Sequence, residues 1–293
     1  MKGVVLAAGN GTRLFPVSEM ISKTLLPVYD KPMIYYPLST LMQIGIRDIA
    51  IVINPSDQKS FEKLIGNGAQ FGLKIHYRVQ AEQKGIVDAL MTTEDFVEGD
   101  DVCLILGDNI FHHTNMREMA LEVTSQNPGA IIFCTPVTDP RKFGVVELDD
   151  NRNILSIEEK PTAPKSHNAV TGLFVCDKNV FEMAKELRPS VRGELEITDL
   201  IRKYLEKGLV KCILLNSDTF WIDAGAFDSL HKAGNTVRAI QKNVGKIISC
   251  PEEIALSSNF ISRDSLLNWI SKKSASEYYL YLARLCEDSK DLN

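Results

Sequence analysis

The sequence predicts an α/β fold with a mixed, mainly parallel central sheet, helices on its faces and a helical layer at its C-terminal end. Three patterns point there. In the first half, apolar runs of strand length alternate with amphipathic runs of helix length. The second half is richer in strand-like runs, and no Gly/Ser/Pro-rich linker or internal repeat divides it from the first. From about Gly225 onward the chain reads as mainly helical.

In chain order, Val4–Ala8 reads as a buried strand and Ile34–Ile44 as an amphipathic helix that ends at Gly45. Asp48–Ile53 is a second strand, stopped by Asn54-Pro55, and Gln58–Ile65 a second helix. Lys74–Val79 is a strand and Ile86–Phe96 a helix. Asp101–Leu106 is a strand, apolar from Val102 on, that ends at Gly107-Asp108-Asn109. Strands alternating with helices imply parallel βαβ units with both sheet faces covered, a Rossmann-like arrangement. Further on, Ala130–Pro136, Gly144–Leu148, Ile154–Glu158, Gly172–Cys176 and Val210–Leu215 read as strands, with helices at Asn179–Leu187 and Ile197–Lys207. They extend the same sheet. Near the C-terminus, Leu266, Leu267, Trp269 and Ile270, then Tyr278, Tyr279, Tyr281, Leu282 and Leu285, give apolar faces. Packing on the core is the expected use of those faces, and a subunit contact is the second.

Composition narrows the class. The chain has 293 residues and a net charge of −5, with Lys and Arg scattered, so nucleic acid is not an expected partner. No stretch approaches membrane-spanning length, and the apolar run at Val4–Ala8 is too short for a signal peptide. Six cysteines stand singly, at 103, 134, 176, 212, 250 and 286. They read as buried thiols in a reducing cytoplasm, not as disulfides or a zinc site.

The chemistry begins at the N-terminus. The first strand runs into Gly9-Asn10-Gly11-Thr12-Arg13. Glycines without side chains let backbone N–H groups close on an anion, and Arg13 adds a forked, permanently charged donor. Neither G-x-x-x-x-G-K-[ST] nor G-x-G-x-x-G is present, so this is neither a Walker loop nor a dinucleotide fingerprint. Lys23 follows in Ser22-Lys23-Thr24-Leu25-Leu26-Pro27. In parallel sheets ligands bind beyond the carboxyl ends of the strands. The glycine loop and Gly107-Asp108 therefore belong at one edge. Asp108 there is placed to hold Mg²⁺, which takes one or two protein carboxylates and leaves its other positions to water and phosphate. Asp223, in Trp221-Ile222-Asp223-Ala224-Gly225, would complete a two-carboxylate site if the fold unites them. Glu158-Glu159-Lys160-Pro161 offers hydroxyl and phosphate partners or a solvated charge cluster. Gln80 and Gly85 could read a base through an amide and a backbone group. The histidines have no metal-ligand spacing, and no Ser/His/Asp set suggests hydrolysis.

Together these segments resemble the sugar-1-phosphate nucleotidylyltransferases. The motifs are Leu6-Ala-Ala-Gly-Asn-Gly-Thr-Arg13, Ser22-Lys23-x-Leu-Leu-Pro27, Leu106-Gly-Asp-Asn-Ile-Phe111, Glu158-Glu-Lys-Pro161, Val170-Thr-Gly-Leu173, Arg192-Gly-Glu-Leu-Glu-Ile-Thr-Asp199 and Trp221-Ile-Asp-Ala-Gly225. The nearest pattern is that of the branch using dTTP and α-D-glucose 1-phosphate. The resemblance implies an Mg²⁺-dependent, cytoplasmic homotetramer that makes dTDP-glucose and pyrophosphate, the first step toward dTDP-deoxysugars such as dTDP-L-rhamnose for surface polysaccharide. It implies a catalytic core over residues 1–225, with a nucleotide part to about 110 and a sugar-phosphate part after it, and a helical region at 226–293. By carry-over, Arg13, Lys23 and Lys160 are catalytic. Leu6, Ala8, Gly9, Gly11, Thr12, Gln80, Gly85 and Asp108 join Arg13 and Lys23 around the nucleotide. Asn109, Gly144, Glu159, Lys160 and Val170 hold the sugar phosphate, and Asp108 and Asp223 the metal. Another nucleotide such as UTP, another hexose 1-phosphate and a non-catalytic nucleotide-sensing module stay open at this point.

The chain also departs from that pattern. Ala8 replaces a loop glycine, Asp88 stands in Gly85-Ile-Val-Asp88-Ala89 where glutamine is usual, and Phe143 replaces a tyrosine. His112-His113 and Leu256-Ser257-Ser258 differ where the family builds a regulatory nucleotide-sugar site, so altered feedback inhibition by dTDP-L-rhamnose is expected.

Overall fold

The computed structural model describes residues 1–112, 129–216 and 218–288. The first part follows the predicted alternation. Strand β1 (Lys2–Leu6) leads through a short hairpin, β2 (Pro27–Val28) and β3 (Lys31–Pro32), into helix α1 (Tyr35–Gln43). Then come β4 (Asp48–Ile53), α2 (Gln58–Ile65), β5 (Lys74–Val79), α3 (Ile86–Met91), α4 (Glu94–Val97) and β6 (Val102–Leu106). β1 is central, parallel to β4 on one side and to β6 on the other, with β5 parallel to β4 at the edge.

After β6 the sheet turns mixed. β7 (Asn109–His112) is followed, beyond residues outside the description, by β8 (Ala130–Pro136), β9 (Gly144–Leu148), β10 (Ile154–Glu159) and β11 (Asn168–Cys176). Helices α5 (Val180–Lys185) and α6 (Ile197–Glu206) precede β12 (Val210–Leu214) and β13 (Phe220–Asp223). β11 runs antiparallel to β6 and joins the two halves into one sheet of order β10-β9-β11-β6-β1-β4-β5, with β8 on β11 and β12 parallel to β8. The chain ends in α7 (Phe227–Val244), α8 (Pro251–Ser257), α9 (Arg263–Ile270) and α10 (Glu277–Asp288), the predicted helical layer.

The two-residue period of the strands splits the apolar side chains between two cores. Val4, Val52, Val102 and Leu104 point to the face covered by α3, α4, α5 and α6, through Val87, Val97, Phe181 and Leu200. Val5, Ile51, Cys103 and Ile105 point to the face covered by α1, α2 and α8, through Leu38, Leu41, Phe61 and Ala255. A third, smaller core binds α7 to the β7–β13 ribbon, with Ala233 and Val237 against Ile110 and Ile222. Each of the buried Val, Leu, Ile and Phe side chains among these contributes about 1.5–3 kcal/mol relative to exposure.

Several elements differ from expectation: β1 ends at Leu6, ahead of the predicted Val4–Ala8, and the short strands β2, β3 and β7 carry no prediction. The helix read over Ile86–Phe96 is broken at Thr92-Thr93. There the hydroxyls donate to the carbonyls of Ala89 (2.7 Å) and Leu90 (2.6 Å), competing with the helical ladder. β11 starts four residues before the predicted Gly172, and its register against β8 shifts between Val170 and Phe174. That irregularity turns Thr171 and Gly172 toward the site.

Candidate active site

The loops after β1 and β6 flank a cleft of about 850 Å³. Every residue nominated from the sequence lines it except Gly11. Gly11 stands behind that lining. It adopts φ +65° at the start of the turn Thr12–Leu14, and its carbonyl accepts from the Leu14 amide and the Ser18 hydroxyl, both at 2.7 Å. It shapes the loop, and a Cβ there would be strained whatever the space. Gly9 does face the cleft, with the Lys23 ammonium 3.3 Å from where its Cβ would stand. Leu6, Ala8 and Thr12 line the same wall. The Ala8 methyl is buried, and its carbonyl accepts from Gln83 Nε2 at 3.1 Å, so a side chain is accommodated at that loop position.

The charged centre forms where two distant segments meet. β13 pairs antiparallel with β7, placing Asp223 opposite Asn109 and hence beside Asp108. The Ala224 amide donates to the Asp108 carbonyl at 2.8 Å, and the Gly225 amide to Asp223 Oδ1 at 2.7 Å. Lys23 Nζ lies 2.5 Å from Asp108 Oδ2, and Arg13 Nη2 3.8 Å from Asp223 Oδ2. The point where Gly225 would carry a Cβ is 2.6 Å from Arg13 Nη2, 2.8 Å from Asp223 Oδ1 and 2.9 Å from Asp108 Oδ2. Two carboxylates and a guanidinium therefore converge on a space kept open by glycine. Burial pushes the Asp108 carboxyl up, but the Lys23 ammonium, the Asn109 amide and the Arg13 charge together more than offset it, and the net shift is downward. Asp223 goes the other way: burial and the Asp108 charge raise it, and Arg13 offsets only part. A paired, buried carboxylate site of this kind has the donors for one divalent cation that keeps water and phosphate ligands.

Asn109 ties this centre to the opposite wall. Its Oδ1 accepts from Trp221 Nε1 (2.7 Å) and the Gly172 amide (3.0 Å), and its Nδ2 donates to Asp108 Oδ1 (3.1 Å). A Cβ on Gly172 would stand 2.6 Å from Asn109 Cγ, so close packing there requires glycine. On the same wall Gly144, Glu159 and Val170 meet: a Cβ at Gly144 would lie 3.5 Å from Glu159 Oε2 and from Val170 Cγ2. Lys160 follows β10 with φ +42°, its amide on the Phe143 carbonyl (3.0 Å) and its Nζ 3.2 Å from Glu159 Oε1. Gln80 and Gly85 lie at the end of the cleft near α3, where Gln80 Nε2 donates to Asp88 Oδ2 (2.7 Å) and the Gly85 carbonyl (3.3 Å).

Several cleft residues carried no assignment from sequence. Arg192 contacts Glu159, Glu194 and Glu196 at 3.0–3.5 Å and lines the cleft, as do Arg141 and Lys142. Its motif was visible, but nothing local marks a guanidinium as facing the site. Trp221 and Phe143 stack edge-on at 5.5 Å, a pairing across a long stretch of chain. Among the departures, His112 pairs with Phe220 in the ribbon, and His113 lies outside the described residues.

Comparison with known proteins places the chain in a family. The chain matches the Nucleotidyl transferase family over residues 2–240. It is 46% identical over 285 residues to a glucose-1-phosphate thymidylyltransferase of Neisseria meningitidis serogroup A, covering 97% of this chain and 99% of that one. A protein of the same name from Mycolicibacterium smegmatis is 42% identical, over 98% and 99% of the two chains. Among solved structures, a Bacillus anthracis protein assigned to that enzyme, in complex with sucrose, superposes with a TM-score of 0.76. It is 43% identical and covers 81% of this chain and 95% of its own. A UDP-glucose pyrophosphorylase at 24% identity and a TM-score of 0.73 shares the fold. With its cleft at the parallel-strand edge, its paired aspartates and these relatives, the chain belongs to the nucleotidyl transferase family.

Proposed function

We propose that this enzyme transfers dTMP from dTTP to α-D-glucose 1-phosphate, giving dTDP-glucose and pyrophosphate. The observation that carries the reading is the convergence of Asp108, Asp223 and Arg13 on the space above Gly225, with Lys23 alongside. The high identity to glucose-1-phosphate thymidylyltransferases over nearly the whole chain supports the choice of substrates.

Nucleotidyl transfer needs positioning and charge neutralisation more than a covalent nucleophile. The phosphate of the sugar is already anionic, so the reaction calls for no general base. Lys160, on the sugar side, holds that phosphate for attack on the α-phosphorus. Arg13, over half exposed at the opposite side, meets the departing pyrophosphate, with Lys23 beside it. The nucleotide lies along Leu6–Gly9 and Thr12, its base toward Gln80 and Gly85. The sugar lies against Asn109, Gly144, Glu159 and Val170. Asp108 and Asp223 would hold Mg²⁺, which when bound neutralises phosphate charge as a Lewis acid. The product suits a first step toward dTDP-deoxysugars, in the cytoplasm, by a homotetramer. Light scattering of the purified protein reads the last point.

The test is pyrophosphate release with dTTP, glucose 1-phosphate and Mg²⁺, comparing wild type with Asp108→Asn. Release that stops on chelation and falls by at least about 100-fold in the variant is the expected result. Undiminished release in Asp108→Asn would overturn the assignment. A panel with UTP, CTP and other hexose 1-phosphates reads the alternatives in the same assay.

A further inference from the structure

We infer that Asp88 is a positioning residue that sets which pyrimidine the cleft accepts, by fixing the orientation of the Gln80 amide. The inference rests on the nucleotide reading above and goes beyond it to base choice.

Gln80 is 5% exposed and lines the cleft, with its backbone amide held by the Ile53 carbonyl at 3.0 Å. Its side-chain nitrogen has two hydrogens. One points to Asp88 Oδ2 at 2.7 Å and the other to the Gly85 carbonyl at 3.3 Å. Both partners are acceptors: a carbonyl cannot donate, and an ionised carboxylate is acceptor-only. Turning the amide over would set Oε1 against two other oxygens. The nitrogen is thus committed to the protein, and Oε1 is the atom left for a ligand. Asp88 supplies the shorter and charge-assisted of the two anchors.

A cleft that offers a buried acceptor selects for a donor. The N3–H of a thymine or uracil imide meets that need. Cytosine presents a bare N3 acceptor, leaving two buried lone pairs face to face. Sites that hydrogen-bond a substrate N–H reject an analogue lacking it far more strongly than apolar pockets reject a size change. The contact ignores the 5-methyl group, so it separates dTTP and UTP from CTP and does not separate dTTP from UTP.

The experiment compares wild type with Asp88→Asn, which keeps size and shape but brings an amide that can donate to Gln80 Oε1. Equilibrium binding of dTTP, UTP and CTP is measured, alongside KM and kcat for dTTP and glucose 1-phosphate. Wild type should bind dTTP and UTP at least about tenfold more tightly than CTP. In the variant that preference should shrink about tenfold, through the loss of one charge-assisted bond. The change should fall on the nucleotide KM and leave the glucose 1-phosphate KM within about twofold. Wild-type binding of CTP as tight as dTTP, or an unchanged preference in Asp88→Asn, overturns the inference while leaving the transfer reading intact. Binding decides the point even if no pyrophosphate is released, the result that would sink the transfer reading alone. Should Asp88→Asn not fold, Asp88→Ala keeps the Gly85 anchor and carries the same test: a reduced preference supports the inference, and an undiminished one refutes it.

Discussion

At the scale of single residues, the site depends on atoms that are absent as much as on those present. Gly225 leaves open the point on which Asp108, Asp223 and Arg13 converge. Gly225→Ala would put a methyl group 2.6–2.9 Å from all three. We expect pyrophosphate release to drop by at least about 100-fold and divalent-cation binding, followed by Mn²⁺ titration, to weaken, with circular dichroism unchanged. Wild-type cation affinity in that variant would contradict the assignment. Trp221 works at one remove. Its Nε1–H holds Asn109 Oδ1, and Asn109 in turn donates to Asp108. Trp221→Phe keeps most of the packing and deletes the donor, so activity should fall about tenfold for the loss of one buried hydrogen bond. The sequence placed Asp108 and Asn109 at a strand end without difficulty. Trp221 was readable only as an aromatic neighbour of Asp223, because its partner is 112 positions away.

At the scale of elements, α8 and α10 are joined by partly buried polar contacts that no periodicity announces. Tyr278 donates to Glu252 Oε2 and Tyr281 to Glu253 Oε2, both at 2.6 Å. Glu252 is fully buried, and its Oε1 has no partner among the described residues. Tyr278→Phe should therefore cost about 1–3 kcal/mol and lower the Tm by a few degrees. Burial raises the Glu252 carboxyl above 4.5, more than its bonds to Tyr278 and Cys250 lower it. The folded protein then keeps a proton where the unfolded chain has lost it, so this group's contribution to stability declines as pH rises from the ordinary carboxylate range through the raised value. Glu252→Gln removes that dependence. Its Tm relative to wild type should climb between pH 4.5 and 7.5, and a constant difference would refute the account. The strands and helices themselves were largely legible: β4, β5, α2, β8 and β9 fall where the apolar patterns put them. The break between α3 and α4 was missed because two threonine hydroxyls, not a proline or glycine, interrupt the helix.

At the scale of the whole molecule, the cleft is bounded by residues from β1 to the start of α7, so ligand binding couples many elements at once. Saturating dTTP with Mg²⁺ should raise the Tm, by about 2.7 kcal/mol of added stability at one hundred times the dissociation constant. The rise should shrink on chelation, as followed by differential scanning fluorimetry. A Tm indifferent to nucleotide would count against the cleft as the binding site.

The apolar alternation, by itself, determined the α/β class, the order of the parallel strands' elements and the edge at which a phosphate loop and Asp108 must lie, because strand and helix periods are local properties of the chain. What only the tertiary structure decided is which side chains meet. The β7–β13 ribbon brings Asp223 to Asp108, β11 delivers Gly172 to Asn109, and the turn into α3 sets Asp88 on Gln80. Those contacts are settled by long-range pairing and close packing. Neither leaves a mark in the spacing of neighbouring residues.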